Sequence, residues 1–322
     1  MQALLSTLGL AAGVLLAAAP PAQASDYPTR PIRLVVPFPA GGGVDAVARA
    51  LSKELGATLG TTIVVDNRGG AGGAVGTSDV ARSAPDGYTL LLTTNGHSIL
   101  PHIQRTDWDP IKDFSPVSQV AVLPMAILVN ARSPITSLPD LIATAKQAPG
   151  KLSYASSGIG GPFHLGMEMF KNMAGIDILH VPYKGNAPMA TALLGGEVQM
   201  SMDTLAVSLP QVKAGKFRAV AVTSGHRLRL LPGVPTVGES GVPGYEYQGW
   251  QGVLAPAGTP PDIVAKLNAA LVQVIAMPRV NEQLEQLGFE PQSSSTAEFA
   301  GLISSDLEKY GKVIRTTNIK AQ

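Results

Sequence analysis

Residues 33–59 read RLVVPFPAGGGVDAVARALSKELGATL, and this stretch decides the fold. Arg33 to Phe38 is a short β-branched run and Ala40 to Gly43 a glycine turn. Val44 to Leu59 then places Val44, Val47, Ala48, Leu51, Leu55 and Leu59 on one helical face. Strand, glycine turn and amphipathic helix form the opening unit of a parallel sheet covered by helices. The same alternation continues outward. Thr62 to Val65 is expected as a second strand, Asp66 to Gly76 (DNRGGAGGAVG) as a tightly turning or functional loop, and Tyr88 to Thr93 as a third strand.

The device then recurs. Leu152 to Ala155 leads into Ser156 to Pro162 (SSGIGGP), followed by a helix with Phe163, Met167 and Phe170 inward. Further strands are expected at Ile178 to Val181, Val198 to Met202 and Arg218 to Thr223, with helices at Pro188 to Leu194 and Leu205 to Ala214 between them. Val117 to Val129 and Tyr245 to Leu254 are extended in character and read as paired crossover strands. The last helices, Pro260 to Ala276, Arg279 to Leu287 and Thr296 to Ile314, are expected to pack back on the first unit. The expectation is therefore an α/β protein of two lobes, each a mixed, mostly parallel sheet flanked by helices, with the two crossover strands as hinge. Residues 25–122 and 248–322 build lobe 1, and residues 123–247 build lobe 2.

A chain of 322 residues is long enough for two such cores. Net charge is +1 and charged residues make up 15% of the chain, without long runs of one sign, so the footprint of a nucleic-acid binder is missing. Cysteine is absent, which excludes disulfides, thiolate metal sites and a cysteine nucleophile. Residues 1–24 carry no charged side chain and run from an apolar core, Ala3 to Ala19, through Pro20 and Pro21 to Ala22-Gln23-Ala24. That pattern reads as a cleavable signal peptide of an exported protein, although no Lys or Arg precedes the apolar core.

In an open α/β sheet, ligands sit beyond the carboxyl ends of the strands, where free N–H groups at helix starts favour negative charge. Ala40, Gly41, Gly42 and Gly43 form one such start, and Ser156, Ser157, Gly158, Gly160 and Gly161 the other. Together they make an anion-binding cleft, unless both are ordinary helix-capping turns. Asn95, just past the third strand, is a further candidate. Asp45 falls in the first turn of its helix, where capping is the simpler role. His164 pairs by spacing with Glu168, but H-x-x-x-E is not a zinc motif, and a capping or hydrogen-bonded histidine is the better reading. Tyr183, Lys184 and Asp203 stand at strand carboxyl ends and either line the cleft or serve turns. No metal, cofactor or catalytic residue is expected.

One enzyme reading competes. Gly41-Gly42-Gly43-Val44-Asp45-Ala46 fits G-x-G-x-x-A after a strand, and Asp66 falls where a ribose-binding acid belongs. Export away from the nicotinamide pool, and recurrence of the glycine device in the second lobe, argue against a dinucleotide enzyme. No G-x-S-x-G nucleophile elbow is present.

From Tyr27 to about Ile319 the sequence resembles the Bug, or tripartite tricarboxylate transporter receptor, family of bacterial periplasmic solute-binding proteins. The resemblance rests on Pro28-Thr-Arg-Pro-Ile, on Pro37-Phe-Pro-Ala-Gly-Gly-Gly-Val-Asp45 with Ala48-Arg49, and on Asn67-Arg68 before a glycine run. Pro85-Asp86-Gly87-Tyr88-Thr89, Val181-Pro182-Tyr183-Lys184-Gly185, Gly195-Gly196-Glu197-Val198 and Pro235-Thr236-Val237 before Glu239 complete it. The resemblance implies a periplasmic-binding-protein-like fold that closes on a carboxylate-bearing ligand, held through Phe38 to Gly43 and Ser157-Gly158-Ile159-Gly160. It also implies a non-catalytic, monomeric receptor in the periplasm that works with a membrane permease of one small and one large subunit. A sensory role, with the closed form docking on a receptor ectodomain, is the alternative. Two departures stand out. Gly161-Pro162 replaces the Ser or Thr of many members, removing a hydroxyl, and Gln199 stands where an acid is usual.

Overall fold

The computed structural model describes residues 27–317, so the expected signal peptide lies outside the described residues. The first sheet starts with β1 (Ile32–Val36), whose side chains are almost all buried. After helix α1 (Gly43–Leu59), strand β2 (Ile63–Asn67) pairs parallel on one side of β1. Helix α2 (Ala74–Ala81) then leads to β3 (Thr89–Thr94), parallel on the other side. All six apolar positions that mark the α1 face are buried, which is why this amphipathic stretch is a helix here: burial of that face, more than propensity, stabilises it. Helix α3 (Gly96–Ile103) and β4 (Phe114–Leu123) end the first pass.

The chain then enters a second sheet through β5 (Met125–Asn130), followed by α4 (Leu138–Gln147), β6 (Ser153–Ser156) and α5 (Pro162–Ala174). Next come β7 (Leu179–Pro182), α6 (Asn186–Gly195), β8 (Met200–Thr204), α7 (Leu205–Lys213) and β9 (Phe217–Val222). It returns through β10 (Gly249–Pro256) and closes with α8 (Pro261–Ile275), α9 (Pro278–Gln286), β11 (Glu290–Pro291) and α10 (Thr296–Thr317). The strand orders are β11-β4-β10-β3-β1-β2 and β7-β6-β8-β5-β9, giving two helix-flanked lobes.

Three expectations need correction. The sheets are mixed but not mostly parallel, with two parallel and three antiparallel pairings in the first and two of each in the second, because the strands that carry the chain between lobes pair antiparallel, β10 with β3 and β4 and β5 with β8 and β9, as does β11 with β4. Val117 to Val129 is two strands, not one. Pro124, which has no N–H to give a ladder, separates β4 in the first sheet from β5 in the second. The return segment does pair with it at the crossing, Gly249 opposite Leu123.

The third correction concerns α10. Its first half packs on lobe 1 as expected, with Phe299 and Ile303 in the same core as Trp250, Leu91 and Val35. Its second half does not. Tyr310 and Ile314 belong to the core of lobe 2, beside Phe170 and Tyr245. A helix of 22 residues is about 33 Å long, enough for its apolar stripe to begin on one lobe and end on the other.

Candidate functional site

The two glycine turns differ in how they use their own polar groups. At the start of α1, Gly41 adopts φ +85°, and its N–H donates to Asp45 Oδ2 at 2.9 Å. Arg49 Nε donates to the same oxygen at 3.0 Å and, as the largest cause, pulls the Asp45 carboxyl down to about pKa 2. Asp45 is thus a buried carboxylate that closes its own turn. The N–H groups of Gly42, Gly43 and Val44 have no acceptor among the described residues, as at any uncapped helix start.

At the start of α5 the polar side chains lie behind the loop. Ser156 Oγ is 3.0 Å from the Gly158 carbonyl and 2.6 Å from His180 Nε2. The Gly160 N–H donates to His164 Nδ1 at 3.0 Å, so that nitrogen carries no proton. The His164 ring stacks on His180 at 3.9 Å, and His180 stacks on Tyr154 at 4.8 Å. Burial lowers both imidazoles, His180 to about 4. The pairing of His164 with Glu168 suggested by spacing does not form, because Glu168 Oε1 accepts from the Tyr154 hydroxyl and from Lys171 Nζ, each at 2.7 Å.

Between the lobes lies a cleft of about 420 Å³. Lobe 1 supplies Phe38, Val44, Thr94, Asn95, Ile99 and Leu100, and lobe 2 supplies Ile159, Gly160, Gly161, Pro162, Phe163 and Thr204. Leu123 and Met125, on either side of Pro124, form part of the wall where the chain crosses. Hollows of about 530 Å³ at Ser52–Ile63 and beside Lys146 and Lys171 are larger but open, and lie away from the crossing.

Of the residues singled out from sequence, Phe38, Asn95, Gly160 and Gly161 stand on the wall of this cleft. Ala40, Gly41, Gly42, Gly43 and Asp45 sit between the wall residues Phe38 and Val44 or just past them, while Ser156, Ser157, Gly158 and His164 flank or back the second loop. Tyr183 and Lys184 are not on the wall; the Tyr183 hydroxyl meets Glu197 Oε2 at 3.4 Å and Lys184 is exposed. Sequence reasoning passed over Ile99, Leu100 and Ile103, which one short helix brings to the cleft, and the crossing pair Leu123 and Met125. Only the apolar character of these residues could have signalled them, and that does not distinguish a cleft wall from a core.

Asp203 lies one residue from the wall, buried, with Oδ1 accepting from Asn186 Nδ2 and from the Thr204 N–H, both at 2.8 Å. Burial, the largest cause, raises it from 3.8 to about 7. The unfolded chain releases this proton near pH 4 and the folded protein keeps it to near pH 7. Stability therefore falls as pH rises across that window, by roughly 4 kcal/mol at most. Asp203→Asn keeps the acceptor oxygen and removes the charge. It is expected to raise the melting temperature progressively from about pH 4 to about pH 7 relative to the parent. A constant offset across that range in thermal melts would show that the carboxyl is not the cause.

Two α/β lobes, crossed twice by the chain and enclosing a cleft at facing helix starts, define a two-lobed solute-binding protein. The chain belongs to the tripartite tricarboxylate transporter receptor family, whose model matches residues 47–319. It is 36% identical to the protein BugT of Bordetella pertussis over 329 residues, covering 99% of each chain. Among solved structures it is similar to the periplasmic binding protein BugD, with a TM-score of 0.73 and 37% identity over 92% of this chain and 100% of that one. It is also similar to Rpa4515 of R. palustris, solved with adipate, with a TM-score of 0.77 and 38% identity over 92% of this chain and 100% of that one.

Proposed function

We propose that this protein captures a small carboxylate-bearing ligand in the interlobe cleft by lobe closure and hands it to a membrane permease of one small and one large subunit. In this reading it is not an enzyme. Residues 1–24 direct it to the periplasm and are removed. The observation that carries the reading is a cleft walled by both lobes at the two helix starts, with uncommitted N–H groups at each. Adipate in Rpa4515 and the family's receptor role are consistent with it.

Closure must carry α10 with it, because the two halves of that helix pack in the cores of the two lobes. Away from the cleft, the ion pair Arg229–Glu285 and a contact of His226 Nε2 with Glu290 Oε2 at 3.7 Å also join lobe 2 to lobe 1. Arg229 and His226 are both exposed, so each contact contributes little. The break at Pro124 and the segment before Gly249 are the places where a hinge would absorb the motion.

Thermal melts with di- and tricarboxylates, acidic amino acids and monocarboxylates test the reading. A ligand at a hundred times its Kd adds about 2.7 kcal/mol, and small-angle scattering of the same complex is expected to show a smaller radius of gyration. Gly42→Val is expected to weaken binding about tenfold by obstructing approach to the α1 start. The fold should tolerate it, since a Cβ there meets only the Pro39 carbonyl oxygen at 3.5 Å. Unchanged scattering at saturation would rule out closure, and full affinity in the variant would place the site elsewhere.

A further inference from the structure

We infer that His164 is a positioning residue for the second wall loop: its Nδ1, acting through the Gly160 N–H, holds that loop in the shape that offers the α5 start to the ligand. This rests on the carboxylate-capture reading above and deepens it. The two helix starts share one backbone form. Gly41 and Gly160 stand at φ +85° and +74°, and Gly42 and Gly161 after them at φ −81°, ψ 170° and φ −72°, ψ 168°. In each, the side chain four residues past the first of these glycines reaches back to its N–H, which donates to Asp45 Oδ2 at 2.9 Å in lobe 1 and to His164 Nδ1 at 3.0 Å in lobe 2. The N–H groups that follow, of Gly42 and Gly43 in one lobe and of Gly161 and Phe163 in the other, have no acceptor among the described residues.

The two acceptors differ in charge. Asp45 is a carboxylate answered by Arg49 one turn on, with Nε at 3.0 Å. The corresponding place after His164 holds Glu168, whose Oε1 already accepts from the Tyr154 hydroxyl and from Lys171 Nζ, each at 2.7 Å. A carboxylate at position 164 would be buried near a second one with no cation of its own, whereas a neutral imidazole gives the acceptor without negative charge behind a loop that receives an anion. Burial, the largest cause, holds the His164 pKa below the ordinary imidazole value, so Nδ1 is free to accept at neutral pH. Facing it are the His180 ring of β7 at 3.9 Å, the Tyr154 ring of β6 at 6.4 Å, and Glu168 and Lys171 of its own helix.

The other end of the loop is tied to the same stack, since Ser156 Oγ lies 2.6 Å from His180 Nε2 and 3.0 Å from the Gly158 carbonyl. Gly158 and Gly160 both have positive φ, and glycines restrain a loop weakly, so these side-chain anchors set its shape. Ile159, Gly160 and Gly161 line the cleft while His164 does not, and His164 therefore acts on a ligand only through the loop.

Two variants separate the acceptor from the ring. His164→Asn keeps an acceptor oxygen and gives up the stack on His180, while His164→Phe keeps a stacked ring and has no acceptor. In amide hydrogen exchange read by NMR, Gly160 is expected to stay protected in His164→Asn and to exchange at least about tenfold faster in His164→Phe, with β5 and β8 as protected as in the parent. Calorimetric titration with whichever acid of the melt panel above stabilises the parent most is expected to give parental affinity in His164→Asn and about tenfold weaker binding in His164→Phe. His164→Leu, smaller and equally without an acceptor, gives the same reading if the phenylalanine overpacks. Parental protection and affinity in the variants without an acceptor overturn the inference, as does loss of both in His164→Asn. Loss of Gly160 protection without loss of affinity overturns it too, and faster exchange throughout β5 and β8 replaces it with a general structural role. If no acid stabilises the parent, carboxylate capture falls, and exchange at Gly160 alone decides whether His164 holds the loop.

Discussion

Asp306→Ala is expected to destabilise the protein by about 3 kcal/mol, because it strips a buried carboxylate from the helix that braces the crossing strand. Asp306 is 1% exposed, and its Oδ2 accepts from the Trp250 indole N–H at 2.8 Å. Lys309 Nζ lies 2.7 Å from the other oxygen. Removing the carboxylate leaves the indole donor buried without a partner, a loss of about 1–3 kcal/mol, and adds a small void. Lys309 is partly exposed and can turn to water, so its loss adds little. Urea unfolding followed by tryptophan fluorescence reads the effect. Asp306→Asn retains an acceptor for Trp250 and is expected to recover most of the loss. A change below about 1 kcal/mol in the alanine variant would mean that the indole finds another partner.

Gly252→Val is expected to cost about 3 kcal/mol or more, through overpacking. A Cβ at Gly252 would lie 2.1 Å from Phe299 Cζ, and Phe299 is fully buried with its ring edge-on to Trp250 at 5.1 Å. The ring has no solvent to move into, so β10 and α10 must separate. Phe299→Ala opens the space that the introduced isopropyl group needs. The double variant is therefore expected to be more stable than the sum of the two single losses implies, by at least about 1 kcal/mol. Additive losses in matched denaturant series would show that the two positions do not compete for the same space.

These two sites illustrate where sequence reading stops. In α1, six apolar residues at helical spacing announce a buried face, and all six are buried, because helical periodicity is a local property. The crossing was also legible as extended chain, with the lobes divided between residues 122 and 123, but it was read as one strand where Pro124 separates two. In α10 the apolar stripe is equally plain. Nothing in it states that Phe299 meets Gly252 in one lobe while Tyr310 meets the core of the other. The glycine loops were legible as helix starts, yet the donation of the Gly160 N–H to His164 Nδ1, and the stacking of His164 on His180, depend on strand β7 lying beside β6.

By itself the sequence determined the α/β alternation, the two glycine turns that open α1 and α5, the recurrence of that unit, and the membership signalled by the loop motifs. All of these arise from neighbours within a few residues, where backbone geometry and side-chain period leave few choices. Only the tertiary structure decided the antiparallel share of each sheet, the reach of α10 across both lobes, and the apolar wall assembled from Phe38, Ile99, Met125 and Phe163. Those features depend on contacts between residues tens to hundreds of positions apart. Many stretches of equal hydrophobicity could have served, and close packing between distant surfaces selected the ones that do.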